Sequence, residues 1–289
     1  MNEHYTPTVL ASLATRLTAR DRRVLRLVWT HRVLTSHQIA QIAFDDDSTG
    51  RHRLVKLHRL SVVERFRPKP PTGSAPWHYV LGEPGAAVLA AEDGVELPDF
   101  GYRRDRVLSI AYSQRLAHTV GVNDVYARLY ATARRTESAQ LQMWWPETLC
   151  AEVWGKQVRP DAYGRWRDND LTLDFFLEYD TGTETLDRVA AKLTGYAALA
   201  AGSAITTPVL FLTSSKSREA NLRRRLALRV QPAVPIATAA PGLHGLTDPA
   251  GPIWAPGDSG GARLCLAELA HHWPNLGVAR NDGDAQGNP

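Results

Sequence analysis

The sequence predicts an α+β chain in which a small helical module precedes a larger sheet-containing one, and three observations carry that prediction. Residues 18–60 hold apolar side chains at helical spacing in three short runs. The segment LTLDFFLEYD, residues 171–180, alternates in the manner of a strand and leads straight into a helical pattern. Between these regions, GEPGAAVLAAEDGVELPDF gives a helix and then a Gly/Pro/Asp-rich linker, which puts a boundary near Phe100 to Arg106. The expected organisation is residues 1–100, residues 101–240, and an extension over 241–289 whose last stretch, NDGDAQGNP, has a disordered composition.

A chain of 289 residues, 44% hydrophobic and 22% charged, can bury two cores and is not of disordered type. Two cysteines, Cys150 and Cys265, build no disulfide framework, which points to a reducing cytoplasm with packed thiols. The N-terminal stretch lacks a positive leader followed by an apolar core. The uncharged run Leu193 to Thr213 is broken by Gly202, Ser203, Thr206, Thr207 and Pro208, so a helix end, a turn and a buried strand explain it better than a membrane span. Neither a Walker phosphate loop nor a paired-cysteine zinc pattern occurs.

In the first module, Thr18 caps a helix through ARDRRVLRLVWTHR with Val24, Leu27 and Val28 inward, and Thr35 or Ser36 caps a short one, HQIAQIAF. A third starts at Asp45 to Ser48. In GRHRLVKLHRL, Leu54, Leu57 and Leu60 share one arc while His52, Lys56 and Arg59 face away from it. Next, VVERFRPKPPTGSAPWHYVL supplies two strand-like pieces around a Pro/Gly/Ser/Lys loop. Three helices and this wing make a winged helix-turn-helix. From Arg16 to Lys69 there are 13 Lys/Arg against five Asp/Glu, so the basic charge is concentrated where a phosphate-bearing partner can use it. The expected DNA-binding residues are Arg51, His52, Arg53, Lys56 and Arg59 on the helix, with Arg65, Arg67 and Lys69 on the wing. The competing account makes these a solvated face or a protein-contact surface.

In the second module, alternation sends Leu171, Leu173, Phe175, Leu177 and Tyr179 one way and Asp174, Phe176, Glu178 and Asp180 the other. Three carboxylates therefore share a face, and Asp161, ending the extended VRPD, is placed to reach the same edge. Oxygen ligands in such a cluster suit Mg²⁺ or Mn²⁺; a solvated strand face is the plain alternative. Thr181 to Glu184 fits a capping box for the helix that follows, on which Lys192 and Tyr196 lie four apart on one flank. Only five lysines occur against 29 arginines, which singles out Lys192. His118, Asn123 and Asp124 are polar positions in a helical pattern, His118 fitting a buried hydrogen-bonded role better than a place at the active edge. The expected strands are LQMWW, LCAEVW, LTLDFFLEYD, PVLFLT and VPIATA, with helices at Thr183 to Ala201 and Ser217 to Val230.

That order is similar to the restriction-endonuclease-like α/β sandwich of PD-(D/E)xK nucleases. The resemblance makes Asp161 and Glu178 catalytic and metal-binding carboxylates, with Asp180 standing where the pattern wants lysine and Lys192 replacing it from the helix. Together, LAHTVGVNDV, VRPDA and FFLEYDTGTETL resemble the replication-relaxation family of plasmids and integrative elements, over roughly Leu17 to Pro235. Membership implies a plasmid-borne protein that binds DNA at replication or transfer origins and relaxes supercoiled DNA; the expected partner is duplex DNA, the expected compartment the cytoplasm from cysteine usage, and a homodimer is one option. Two readings follow: a Mg²⁺- or Mn²⁺-dependent nickase, releasing single-stranded DNA, that uses Asp161, Glu178, Asp180 and Lys192; or a non-catalytic regulator using the nuclease-like fold as a platform. The paired histidines of familiar relaxases are missing, since His271 and His272 are adjacent on a helical pattern. Tyr163, Tyr179 and Tyr196 lie near the site in sequence, as packing aromatics or a nucleophile. GDSGG at 257–261 resembles a serine-protease loop but lacks its histidine and aspartate contexts, and is a glycine turn.

Overall fold

A computed structural model of the protein describes residues 12–276 except 14, 70–72, 228–233, 243–247, 258, 261 and 274–275. The tail NDGDAQGNP and part of GDSGG fall outside the described residues. The chain is α+β and forms two compact units, Met1–Ala127 and Arg128–Asn288.

In the first unit, α1 (Ala19–Thr30) starts from a capping box in which Thr18 and Asp21 satisfy each other's backbone N–H groups. Its buried stripe is Val24, Leu25, Leu27 and Val28. The strand β1 (Leu34–Thr35) leads into α2 (Ser36–Ala43), where Thr35, not Ser36, is the cap and pairs reciprocally with Gln38. Asp46 caps α3 (Asp47–Arg59) by accepting from Thr49 N–H, and Leu54 and Leu57 are completely buried. Strands β2 (Val63–Phe66) and β3 (His78–Leu81) pair antiparallel, and β1 adds to the far edge of β3. Two residues are too few for β1 to carry an alternation that sequence could reveal. Gly82, the cap of α4 (Glu83–Glu92), passes so near the turn that follows α3 that a Cβ on it would sit 2.1 Å from Ser61 O, which explains glycine there.

The unit does not end at the Gly/Pro/Asp linker near Phe100. Phe100 stacks on Trp29 at 4.9 Å, and α5 (Arg104–Leu108) with the 3-10 turn Ser109–Tyr112 brings Val107, Leu108 and Ile110 onto Val33 and Val80. The divide between units instead falls inside α6 (Leu116–Arg135). On α6, Asn123 is buried and structural: its amide donates to the carbonyls of His31 (3.1 Å) and Val33 (2.6 Å), and its oxygen lies 3.1 Å from His31 Nδ1. Burial pushes His31 down to about 4, so the ring is neutral and donates to that oxygen, stacked on Tyr126 at 4.2 Å.

The second unit is built on a six-stranded mixed sheet ordered β4-β5-β6-β7-β8-β9, of β4 (Ala139–Pro146), β5 (Ala162–Asp168), β6 (Leu171–Asp180), β7 (Val209–Thr213), β8 (Ile236–Ala239) and β9 (Ala255–Pro256). Strands β4 to β6 are antiparallel, β6 to β8 parallel, and β9 antiparallel to β8. LCAEVW is not a strand but most of α7 (Glu147–Trp154). Its apolar residues fall in i,i+4 pairs: Cys150 and Trp154 face Tyr163 and Phe176, while Leu149 and Val153 are exposed. A parallel βαβ order places α8 (Leu186–Ser203) between β6 and β7 and α9 (Lys216–Ala227) between β7 and β8. The cap of α8 is Thr185, which accepts from Arg188 N–H, and not the expected Thr181.

Residues 248–273 belong to this unit although the sequence sets them apart from 241 onward. The strand β9 extends the sheet, Trp254 bridges Leu264, and α10 (Glu268–His272) packs on β6. Buried Glu219 is held by Thr238 at 2.9 Å and by Arg263 at 2.8 Å, and Arg223 reaches the carbonyls of Ala255 and Pro256. Among the described residues, no helix is long and apolar enough to cross a membrane.

Candidate functional site

Two groupings of side chains were expected, and the structure places each. The first lies on β6. Alternation sends Asp174, Phe176, Glu178 and Asp180 to one face, and Phe176 puts that face in the core against Val189 and Tyr196 of α8. The carboxylates are therefore buried, and each has its own cation. Asp174 forms a two-pronged pair with its cross-strand neighbour Arg165, at 2.5 and 2.9 Å. Asp180 binds Arg218 of α9 at 2.7 and 3.1 Å and accepts from Gly182 N–H. Glu178, 2% exposed, has Lys192 Nζ 2.5 Å from one oxygen and the Tyr196 hydroxyl donating to the other, also at 2.5 Å.

Asp161 joins Glu178 and not the other two. The β5–β6 register ends at Ala162 opposite Leu177, which brings Asp161 beside Glu178, and its oxygen accepts from Tyr179 N–H at 2.8 Å. Strand register and the packing of α8 thus bring Asp161, Glu178, Lys192 and Tyr196 together, whereas Asp180 is drawn off by Arg218 and Asp174 by Arg165. Burial, with the Asp161 charge added, pushes Glu178 up to about 7 against the opposing pull of Lys192 and Tyr196. Burial lowers Lys192, but Glu178, Asp161 and Glu184 outweigh it and hold the ammonium above its ordinary value. Burial first, and then the neighbouring Glu178, raise Tyr196 far beyond the phenol range, so its hydroxyl is a hydrogen-bond donor and a poor nucleophile. Tyr163 is raised likewise, by burial and Asp174. Burial lifts the Cys150 thiol to about 12, which fits a packed residue. His118 and Asp124 are half-buried on the part of α6 that belongs to the first unit, so neither sits on the sheet that carries Glu178.

These residues do not fit a divalent cation as they stand. Both Glu178 oxygens are engaged, an ammonium already supplies the positive charge a metal would bring, and Asp174 and Asp180 are neutralised by guanidiniums. Among the described residues, no group of three or more His, Cys, Asp or Glu is arranged to hold a metal.

The second grouping lies on α3 and the β2–β3 ribbon. With Leu54 and Leu57 fully buried, Arg51, His52, Lys56 and Arg59 are exposed. Arg53 is the exception: its Nε donates to Asp21 at 2.7 Å and its Nη2 to Arg16 O at 3.3 Å. At 100° per residue Arg53 falls only about 40° from Leu57, at the border of the apolar arc, and buried Asp21 captures it there. Burial pushes Asp21 upward, but hydrogen bonds from Arg53 and Thr18 outweigh it and leave the carboxyl below its ordinary value. On the ribbon, the guanidiniums of Arg65 and Arg67 lie 4.2 and 4.5 Å from the ring centroid of Trp77, and Lys69 is exposed beyond them. Trp77 was not singled out by sequence; its signal is its position across the ribbon from Arg67.

A family model described as replication-relaxation matches residues 25–210, more than half of the chain. No curated protein and no solved structure matches.

Proposed function

Because the chain belongs to the replication-relaxation family, we propose that it is a duplex-DNA-binding protein of element replication or relaxation whose first unit, a winged helix-turn-helix, makes the contact. The observation that supports this most is the division of α3 into two faces. Leu54 and Leu57 are completely buried, while Arg51, His52, Lys56 and Arg59 stand in solvent. A helix anchored in this way presents its basic side to the major groove, and Lys and Arg charges exchange condensed counterions for phosphates. The neighbouring ribbon adds Arg65, Arg67 and Lys69. The test is fluorescence anisotropy with labelled duplex across a salt series. Replacing Lys56 and Arg59 together by alanine is expected to make the plot of log affinity against log salt shallower by about two units, roughly one for each phosphate that the variant no longer neutralises. An unchanged slope counts against this placement of the helix.

A nicking activity is the second reading, and the convergence of Asp161, Glu178 and Lys192 favours it. Such chemistry requires Lys192 to leave Glu178, since in the present arrangement the pair neutralises itself. Incubating wild type with supercoiled origin plasmid and Mg²⁺ or Mn²⁺ decides the matter. Nicking that disappears in Glu178→Gln supports an enzyme. A plasmid that stays supercoiled while still bound leaves the second unit as a platform.

A further inference from the structure

Trp77 stands just before β3, where its carbonyl is fixed by Ser36 N–H at 2.8 Å. The β2–β3 register runs through Phe66 opposite His78, and its next step sets Arg67 opposite Trp77. Arg65, two residues from Arg67, shares that face of the ribbon, while Phe66 and His78 stack on the other at 5.3 Å. Both guanidiniums therefore lie over one indole, 4.2 and 4.5 Å from its centroid. Tryptophan is the strongest aromatic partner for a cation, and stacking occupies the flat face of a guanidinium while leaving its N–H edges free. Two like charges tied to one ring repel each other, and an anion at their outer edges relieves that repulsion. Among the described residues, no carboxylate supplies it: the nearest acidic neighbour in sequence, Glu64, is held by Arg104 at 2.8 and 3.0 Å.

We propose that Trp77 is a positioning residue that holds Arg65 and Arg67 as a two-pronged clip for the phosphodiester oxygens of duplex DNA. The inference rests on the duplex-binding reading above. Its physical content is pre-organisation: the ring fixes two long side chains before the ligand arrives, so less rotamer freedom is lost on binding, and each planar fork meets phosphate oxygens in paired hydrogen bonds.

The experiment is a double-mutant cycle on the full chain, read as affinity for a short fluorescein-labelled duplex at one fixed low salt. Trp77→Leu is expected to weaken binding by roughly five-fold, and Trp77→Phe by less, because phenyl is the poorer cation–π partner. In an Arg65→Ala/Arg67→Ala background both changes at position 77 are expected to have no further effect. Equal losses in both backgrounds overturn the clip, since Trp77 then acts without the arginines, and leave duplex binding intact. Wild type with no measurable affinity at low salt overturns duplex binding and the clip together. Circular dichroism checks folding; should the leucine variant unfold, the phenylalanine cycle decides by the same criterion.

Discussion

Replacing Glu178 by glutamine tests whether the carboxylate at the centre of the second unit is held at a cost. The side chain is 2% exposed, and burial with the Asp161 charge beside it raises its pKa from 4.5 to about 7. A raised folded-state pKa means that the protonated acid suits the fold. Its contribution is complete below the ordinary value of 4.5, falls as pH rises, and is lost once pH has passed about 7. The gap corresponds to a loss on the order of 3 kcal/mol over that window. Glutamine keeps the shape and an acceptor for Tyr196 but cannot ionise. Lys192, whose side chain is 32% exposed, keeps its charge and has Glu184 3.9 Å away as a second partner. Urea unfolding of both proteins at a series of pH values is the assay. Groups common to both, His31 among them, cancel in the difference. The stability of wild type minus that of Glu178→Gln is expected to fall steadily between pH about 4.5 and 7 and then level off. A difference that stays constant across this range would refute the reasoning, because Glu178 would then ionise in the fold as it does in the unfolded chain.

Two further outcomes follow from buried ion pairs. Arg53→Ala leaves the Asp21 carboxylate buried without its main cation, so stability is expected to drop by about 3 kcal/mol in a urea melt, while the salt slope of duplex binding stays that of wild type. A shallower slope would return Arg53 to the DNA interface. Truncation after Ala240 removes β9 and Arg263 and uncovers Glu219, so the second unit is expected to lose cooperative unfolding by calorimetry. A truncated chain that melts as sharply as wild type would make residues 248–273 an appendage.

The parts of this molecule that were legible in sequence are those governed by local periodicity. Alternation in LTLDFFLEYD placed Glu178 and Asp180 on one face, and spacing of four put Lys192 and Tyr196 on one flank of α8. Register then brought Asp161 beside Glu178. Which cation each carboxylate would take was not legible, because the partners arrive by folding. Arg165 reaches Asp174 across a hairpin, and Arg218 reaches Asp180 from a helix that follows another helix and a strand. Arg53 escapes a sequence reading for the same reason: its place at the edge of the apolar arc matters only once Asp21 of α1 is packed against it. The LCAEVW run is ambiguous in itself, since a short apolar segment satisfies either period until its neighbours decide. The C-terminal residues 248–273 lack strong periodicity and join the sheet through a two-residue strand and arginine contacts to carbonyls.

The central claim is that the first unit binds duplex DNA through its basic side chains, and the salt dependence of wild-type affinity tests it most directly. Arg51, Lys56 and Arg59 on α3 with Arg65, Arg67 and Lys69 on and beside the ribbon offer six cations. If most of them meet phosphates, log affinity is expected to fall against log salt with a slope of roughly −4 to −5. A slope near zero, or no binding to duplex at low salt, would contradict the account.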